Sequence, residues 1–283
     1  MRPASADEAT SSGSEVVQET GPSGLHRGRL GPPPGPGLDP YLGIHGWGGS
    51  HLAFVPLAPY VPAGAVLVAP DLPGYGASPA LPRIDEASLT APLVAELRAL
   101  RSACPDRPLT VVGNCSGAIL ALLAAEAAPG LLDRLLLIDP FAFAPWYFRT
   151  FAHPVIGRYA YRSTFGNPLG RWLTNGALAG KRTGEAHLTR SFTTVESRTA
   201  LGYMQVLVAT GGPERFAPLG DGDGPTIEIA HGERTFAAVK ESVARWKAVW
   251  PRATSREVPG SGHLPLQEAT EELAGWIFRR EGR

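Results

Sequence analysis

The chain has only two cysteines in 283 residues, Cys104 and Cys115, too few for a disulfide framework. It also lacks an excess of either charge: 26 Lys and Arg meet 26 Asp and Glu, so the net charge gives no sign of the basic face that nucleic acid or an anionic membrane requires. No apolar run reaches the roughly 18 residues of a membrane span. The N-terminus shows no basic region followed by an apolar stretch, so no secretory signal is expected and the chain reads as cytoplasmic. Aromatic residues are missing from residues 1–40, where seven glycines and seven prolines stand instead. Residues 1–13 are expected to form a flexible tail. Ser14–Thr20 and Gly24–Leu30 can pair as an edge hairpin around Gly21-Pro22, followed by a stiff connector over Gly31–Gly37.

The chain as a whole is 43% apolar and 18% charged, a balance that suits one globular domain with a sizeable core. Short apolar runs alternate with helical periodicity. Asp39–His45, Val66–Ala69, Leu109–Gly113, Leu135–Ile138, Thr226–Ala230 and Arg256–Val258 read as strands. Ser88–Ala103, Ser116–Ala128, Phe236–Trp250 and Glu268–Arg280 read as helices. That alternation predicts an α/β fold with a mostly parallel central sheet covered by helices on both faces. It stops between Phe141 and about Gly212, a stretch too long for an ordinary connection. Ten of the 23 aromatics fall between Phe141 and Trp172. The expected division is therefore a core over 14–140 and 213–283, with a helical cap over 141–212 inserted after the strand that ends at Asp139. Trp146, Phe148 and Phe151 are the candidate lining of an apolar pocket under the cap.

The third strand runs into Gly113-Asn-Cys115-Ser-Gly117 and then a helix. A nucleophile at the centre of such a strand–turn–helix sits on a turn so tight that its flanking positions must be glycine. Read in register, the central residue is Cys115; placing Ser116 there would put Asn114 and Ala118 at the small positions, a poorer fit. A Gly-x-Cys-x-Gly alone is as well explained by a structural cysteine, and Cys104 is read as one. Two further segments add weight. His45-Gly-Trp47-Gly-Gly-Ser50 follows an earlier strand, so the amides of Trp47 and Ser116 can form an oxyanion hole. Gly260-Ser-Gly-His263 follows the last strand, where a general base can reach the turn. Asp71-Leu-Pro-Gly-Tyr-Gly-Ala-Ser78 reads as a structural turn.

Taken in this order, the motifs resemble the α/β-hydrolase superfamily over roughly residues 14–283. The His-Gly-Trp-Gly form looks like that of carboxylesterases acting on acyl esters and carrier-bound acyl groups. A cysteine at the elbow resembles the dienelactone hydrolases and polyhydroxyalkanoate synthases, although the chain is short for the latter and capped unlike the former. In most of the superfamily the acid follows the penultimate strand as Gly-x-x-Asp. Here the matching residues are Gly232-Glu-Arg-Thr235, and the acid is missing. Asp139 closes the preceding strand, where haloalkane dehalogenases and some lipases place theirs. Asp139 is favoured, with Glu233 the alternative acid.

The resemblance implies an acyl hydrolase or acyltransferase acting on an apolar ester or thioester, free or bound to a carrier, through Cys115, His263 and Asp139. A thiolate–imidazolium pair attacks acyl carbonyls well, and the thioester so formed can pass its acyl group to several acceptors. Elimination of a carboxylate ester is one alternative, and a noncatalytic ligand-binding protein of the same fold is another. The retained His263 and the Trp47 loop argue against the second, because a binder needs neither. No metal and no cofactor are expected.

Overall fold

The computed structural model describes residues 16–182, 192 and 195–279. The expected tail over 1–13 and the first two residues of the hairpin lie outside them. Eight strands form one sheet: β1 (Val17–Thr20), β2 (His26–Leu30), β3 (Asp39–Ile44), β4 (Ala65–Pro70), β5 (Thr110–Asn114), β6 (Arg134–Ile138), β7 (Thr226–Gly232) and β8 (Thr254–Val258). Their spatial order is β1-β2-β4-β3-β5-β6-β7-β8. β1 and β2 make the edge hairpin and join β4 antiparallel; every pairing from β4 to β8 is parallel.

The central strands β3 to β6 are buried along their whole length because both of their faces are covered. In β6, Leu135 and Leu137 pack into one core and Leu136 and Ile138 into the other. The first core is closed by α1 (Glu86–Ala103), α2 (Ser116–Ala127) and α7 (Ala237–Val249). α1 starts two residues before the expected Ser88 because Asp85 and Ser88 cap it reciprocally, each side chain bonding the other's amide at 2.9 Å. On the opposite face lie a 3-10 segment at Val55–Tyr60 and the C-terminal helices.

The helix expected over Glu268–Arg280 is α9 (Thr270–Ile277); Glu268 instead ends a separate α8 (Pro265–Glu268), and Arg280 lies outside the described residues. Ala269, at φ −140° and ψ 48°, is not helical and divides them. α9 is tied to the sheet through a buried pair, Arg134 Nε donating to Glu228 Oε1 at 2.7 Å while its other nitrogens donate to the Trp276 and Ile277 carbonyls.

Between β6 and β7 the chain forms α3 (Trp146–Ala152), α4 (Ile156–Thr164), α5 (Pro168–Ala177) and α6 (Ser197–Ala209). This helical insertion meets the rest of the molecule over the C-terminal ends of the parallel strands. The ring of Trp47, in the loop after β3, is its anchor. It packs against Phe148, Phe151, Tyr161, Phe165 and Phe192 at centroid distances of 4.6–6.4 Å, and its Nε1 donates to the Ala200 carbonyl at 2.8 Å.

Candidate active site

Cys115 stands between β5 and α2 with φ 55° and ψ −119°, in left-handed space that an L-residue adopts only where its surroundings impose it. Those surroundings are glycines. A Cβ on Gly113 would lie 2.6 Å from Ala118 Cα, and one on Gly117 would lie 2.3 Å from the Ile44 carbonyl oxygen. Gly46, in the loop after β3, lets that loop approach the elbow, since its Cβ would stand 3.0 Å from that of Cys115. Glycine spacing thus brings the thiol, the α2 N-terminus and the Trp47 loop together.

The Trp47 loop is held by His45, whose role the sequence did not suggest. Its Nδ1 donates to the Gly46 carbonyl at 2.9 Å and its Nε2 accepts from the Leu72 amide at 3.0 Å. Burial pulls its pKa down to about 4, so the ring is neutral and its tautomer is set by these two bonds. Among the described residues, the Trp47 and Ser116 amides donate to no carbonyl of a turn or loop. Asp71, at the start of the motif read as a structural turn, is fully buried and accepts from His26, from both nitrogens of His51 that face it and from the Ala77 amide. Burial opposes its charge, but those hydrogen bonds hold its carboxyl below the usual range. Four donors fill the carboxylate, so the His26–His51–Asp71 cluster is explained as a clamp between β2, β4 and the loop after β3.

His263 lies in the loop after β8. Its amide donates to the Lys181 carbonyl at 2.7 Å, and its ring sits between Phe236 and Phe141, at 4.6 and 5.9 Å. Nδ1 is 2.7 Å from Asp139 Oδ2. With that nitrogen occupied, Nε2 is the ring's remaining nitrogen, and the Cys115 sulfur is an electrostatic neighbour of the ring. Burial alone would lower the His263 pKa, but the neighbouring Cys115 sulfur and the Asp139 carboxylate outweigh it and raise the pKa to about 10.

The two candidate acids are clearly separated. Asp139 is fully buried, has φ 50°, and lies just beyond β6, which ends at Ile138. Its Oδ1 accepts from the Gly232 amide at 2.9 Å. Glu233 is exposed and turned away, its carboxylate accepting from the Gly260 amide at 2.7 Å. Thr235 stands where the acid pattern expected a carboxylate; its hydroxyl donates to Asp139 Oδ2 and lies 3.2 Å from His263 Nδ1.

Of the three candidate pocket residues, Phe148 lines a small cavity. That cavity, about 30 Å³, lies between Ser116, Ile119, Phe141 and Phe216 and shares its Ala142–Ala144 wall with an open groove of about 580 Å³. Trp146 is 77% exposed and lines neither space, because position 146 begins α3 on its outer side. Phe151 packs against Trp47 and Phe165, serving the anchor of the insertion. Tyr147, which the sequence left within the aromatic crowd, has a hydroxyl buried without a hydrogen-bond partner. Burial, and then the Cys115 sulfur, raise that hydroxyl to about 12.

An eight-stranded, largely parallel sheet with an elbow after β5 and a histidine loop after β8 is the architecture of an α/β-hydrolase fold. Residues 42–276 match the family model described as "Alpha/beta hydrolase family", and the chain belongs to that family. Among relatives, it is 30% identical over 249 residues to the pimeloyl-[acyl-carrier protein] methyl ester esterase of Aromatoleum aromaticum, covering 82% of this chain and 93% of that one. It is also 30% identical over 135 residues to the enzyme of the same name from Neisseria meningitidis serogroup B, covering 46% of this chain and 49% of the relative, about half its length. Two solved structures share the fold. One is a thioesterase domain from the curacin biosynthetic pathway, with TM-score 0.66, 20% identity and coverage of 94% and 99%. The other is the Cif epoxide hydrolase of Acinetobacter nosocomialis, with TM-score 0.70, 18% identity and coverage of 94% and 88%.

Proposed function

We propose that the protein is an acyl hydrolase or acyltransferase that acts on an apolar ester or thioester through a covalent intermediate on Cys115. The observation that carries this reading is the alignment of Cys115, His263 and Asp139, with His263 Nδ1 2.7 Å from the Asp139 carboxylate and the ring's pKa raised by both neighbours. The relatives named as esterases of a carrier-linked methyl ester, and the thioesterase domain that shares the fold, agree with an ester or thioester substrate, carrier-bound forms included.

In the reaction, the Cys115 sulfur attacks the acyl carbon, a C–S bond forms, and the carbonyl electrons move onto oxygen. The amides of Trp47 and Ser116 hold that oxyanion. As the tetrahedral species collapses, the bond to the leaving group breaks and imidazolium His263 gives it the Nε2 proton. The now neutral imidazole takes a proton from water or another acceptor, which attacks the thioester and releases Cys115. Asp139 holds the ring's orientation and balances its charge throughout. The buried Tyr147 hydroxyl supplies one more donor to the reacting group. The helical insertion acts as the cap, with Phe148 closing the acyl end of the site.

Cys104 supplies an internal control. It is fully buried at the end of α1, its thiol donates to the Gly35 carbonyl, and burial raises its pKa. Iodoacetamide should therefore label Cys115 well before Cys104, and Cys115→Ala should abolish turnover of acyl thioesters. Undiminished turnover in that variant would overturn the proposal.

A further inference from the structure

The net charge of zero conceals a segregation. From Pro140 to Arg182 the chain has no Asp or Glu but carries Arg149, Arg158, Arg162, Arg171, Lys181 and Arg182. The same stretch is apolar on two opposite sides. The inner side of α4, with Gly157 and Tyr161, is buried toward the Trp47 anchor. The outer side of the α4–α5 hairpin carries Val155, Ile156 and Tyr159, then Leu169, Trp172 and Leu173, all exposed. Leu169, Trp172 and Leu173 fall at i, i+3 and i+4, one face of α5, and are 64%, 70% and 56% exposed. The two helices are held close by Gly170, where a Cβ would stand 1.8 Å from the Ser163 carbonyl oxygen. Among the described residues, Arg149, Arg158, Arg162 and Arg171 form no ion pair.

Single exposed apolar residues are ordinary, whereas an apolar stripe at helical spacing flanked by unpaired arginines marks an interaction surface. We infer that the outer face of α4 and α5 docks the protein onto an anionic lipid bilayer, with Trp172, Leu169 and Leu173 in the headgroup–acyl boundary and Arg158 and Arg162 on lipid phosphates. An acidic protein partner would account for the arginines but leave the stripe facing its polar surface. A second copy would set like charges against each other across a two-fold axis. An anionic bilayer satisfies both features, in the manner of interfacial amphipathic helices. No helix among the described residues is long and apolar enough to cross a membrane, so the contact lies in the plane of the surface.

The inference does not depend on the chemistry of Cys115, and its test reads binding alone. Full-length protein is sedimented with vesicles of phosphatidylcholine, or of phosphatidylcholine with about a third phosphatidylglycerol. It should bind the anionic vesicles and not the neutral ones, and added salt should release it. The double variants Trp172→Ser/Leu173→Ser and Arg158→Gln/Arg162→Gln should each weaken binding about tenfold or more, with unfolding midpoints unchanged because all four side chains are exposed. Cys115→Ala should bind like the unmodified chain. Failure to sediment with anionic vesicles at low salt, or equal binding by the Trp172→Ser/Leu173→Ser variant, would overturn the inference. So would a dimer dissociated by that variant, or capture by an acidic carrier protein without vesicle binding.

Discussion

His263 Nδ1 and Asp139 Oδ2 stand 2.7 Å apart, joining residues 124 positions distant in the chain. The contact exists because β6 and β7 are neighbours: Asp139 turns out of β6, is fixed by the Ala230 carbonyl and the Gly232 amide, and points across to the loop after β8. In the proposed cycle this bond keeps the ring facing Cys115. Asp139→Asn should lower turnover by roughly tens- to a thousandfold, less than the loss in a serine triad because a thiol ionises more readily. Glu233→Gln should stay near the unmodified rate, with folding checked for both by thermal unfolding. The reverse ranking would move the acid to the end of β7.

The protonation of His263 gives a second test. A folded-state pKa raised to about 10 means that the folded chain holds this proton more tightly than the unfolded one does. The histidine's contribution to stability is then complete below its ordinary value of about 6.5 and fades as pH rises through about 10. Urea unfolding of the unmodified chain and His263→Gln should show a gap that narrows between neutral and strongly basic pH. Histidine NMR should also place the titration of His263 lower in Cys115→Ser, where the largest raising influence is weakened. A gap that widens with pH would contradict the charged ring.

Tyr147→Phe removes one buried hydroxyl and keeps the ring packed on Trp146 and Phe148. Removing a hydroxyl that had no partner should leave the unfolding midpoint unchanged or slightly raised. If the hydroxyl donates to the reacting group, kcat should fall about tenfold with KM little changed. Unchanged kcat would make Tyr147 a packing residue only.

Phe148 closes the small cavity beside Ser116. Its volume of about 30 Å³ holds little more than a water molecule, so short acyl groups should react fastest in the unmodified protein. Phe148→Ala should shift the preference toward longer chains in a series of acyl thioesters. A preference that does not move would place the acyl group elsewhere, in the open groove.

Much of the core was legible because its signals are local. The strands announced themselves as apolar runs, and the elbow as two glycines flanking Cys115, since a Cβ at either glycine collides with backbone. The choice between Asp139 and Glu233 was not local: it depends on which side chain the β6–β7 register turns inward, and Glu233 instead bonds Gly260. Thr235 was noticed only as a missing carboxylate, yet its hydroxyl braces the pair that replaces it. The insertion misled most. Aromatic crowding gave Trp146, Phe148 and Phe151 equal standing as pocket residues, whereas helix phase turns Trp146 outward and gives Phe151 to the Trp47 anchor. Net charge, being a sum over the chain, does not show that residues 140–182 carry only cationic charges.

The central claim is that the acyl group passes through Cys115, and intact-protein mass spectrometry after brief mixing with an acyl thioester tests it most directly. The account predicts a mass gain of one acyl group, located on the peptide that contains Cys115, released by neutral hydroxylamine and absent from Cys115→Ala. An adduct on Ser116 or any other residue, or one that persists in Cys115→Ala, would contradict it.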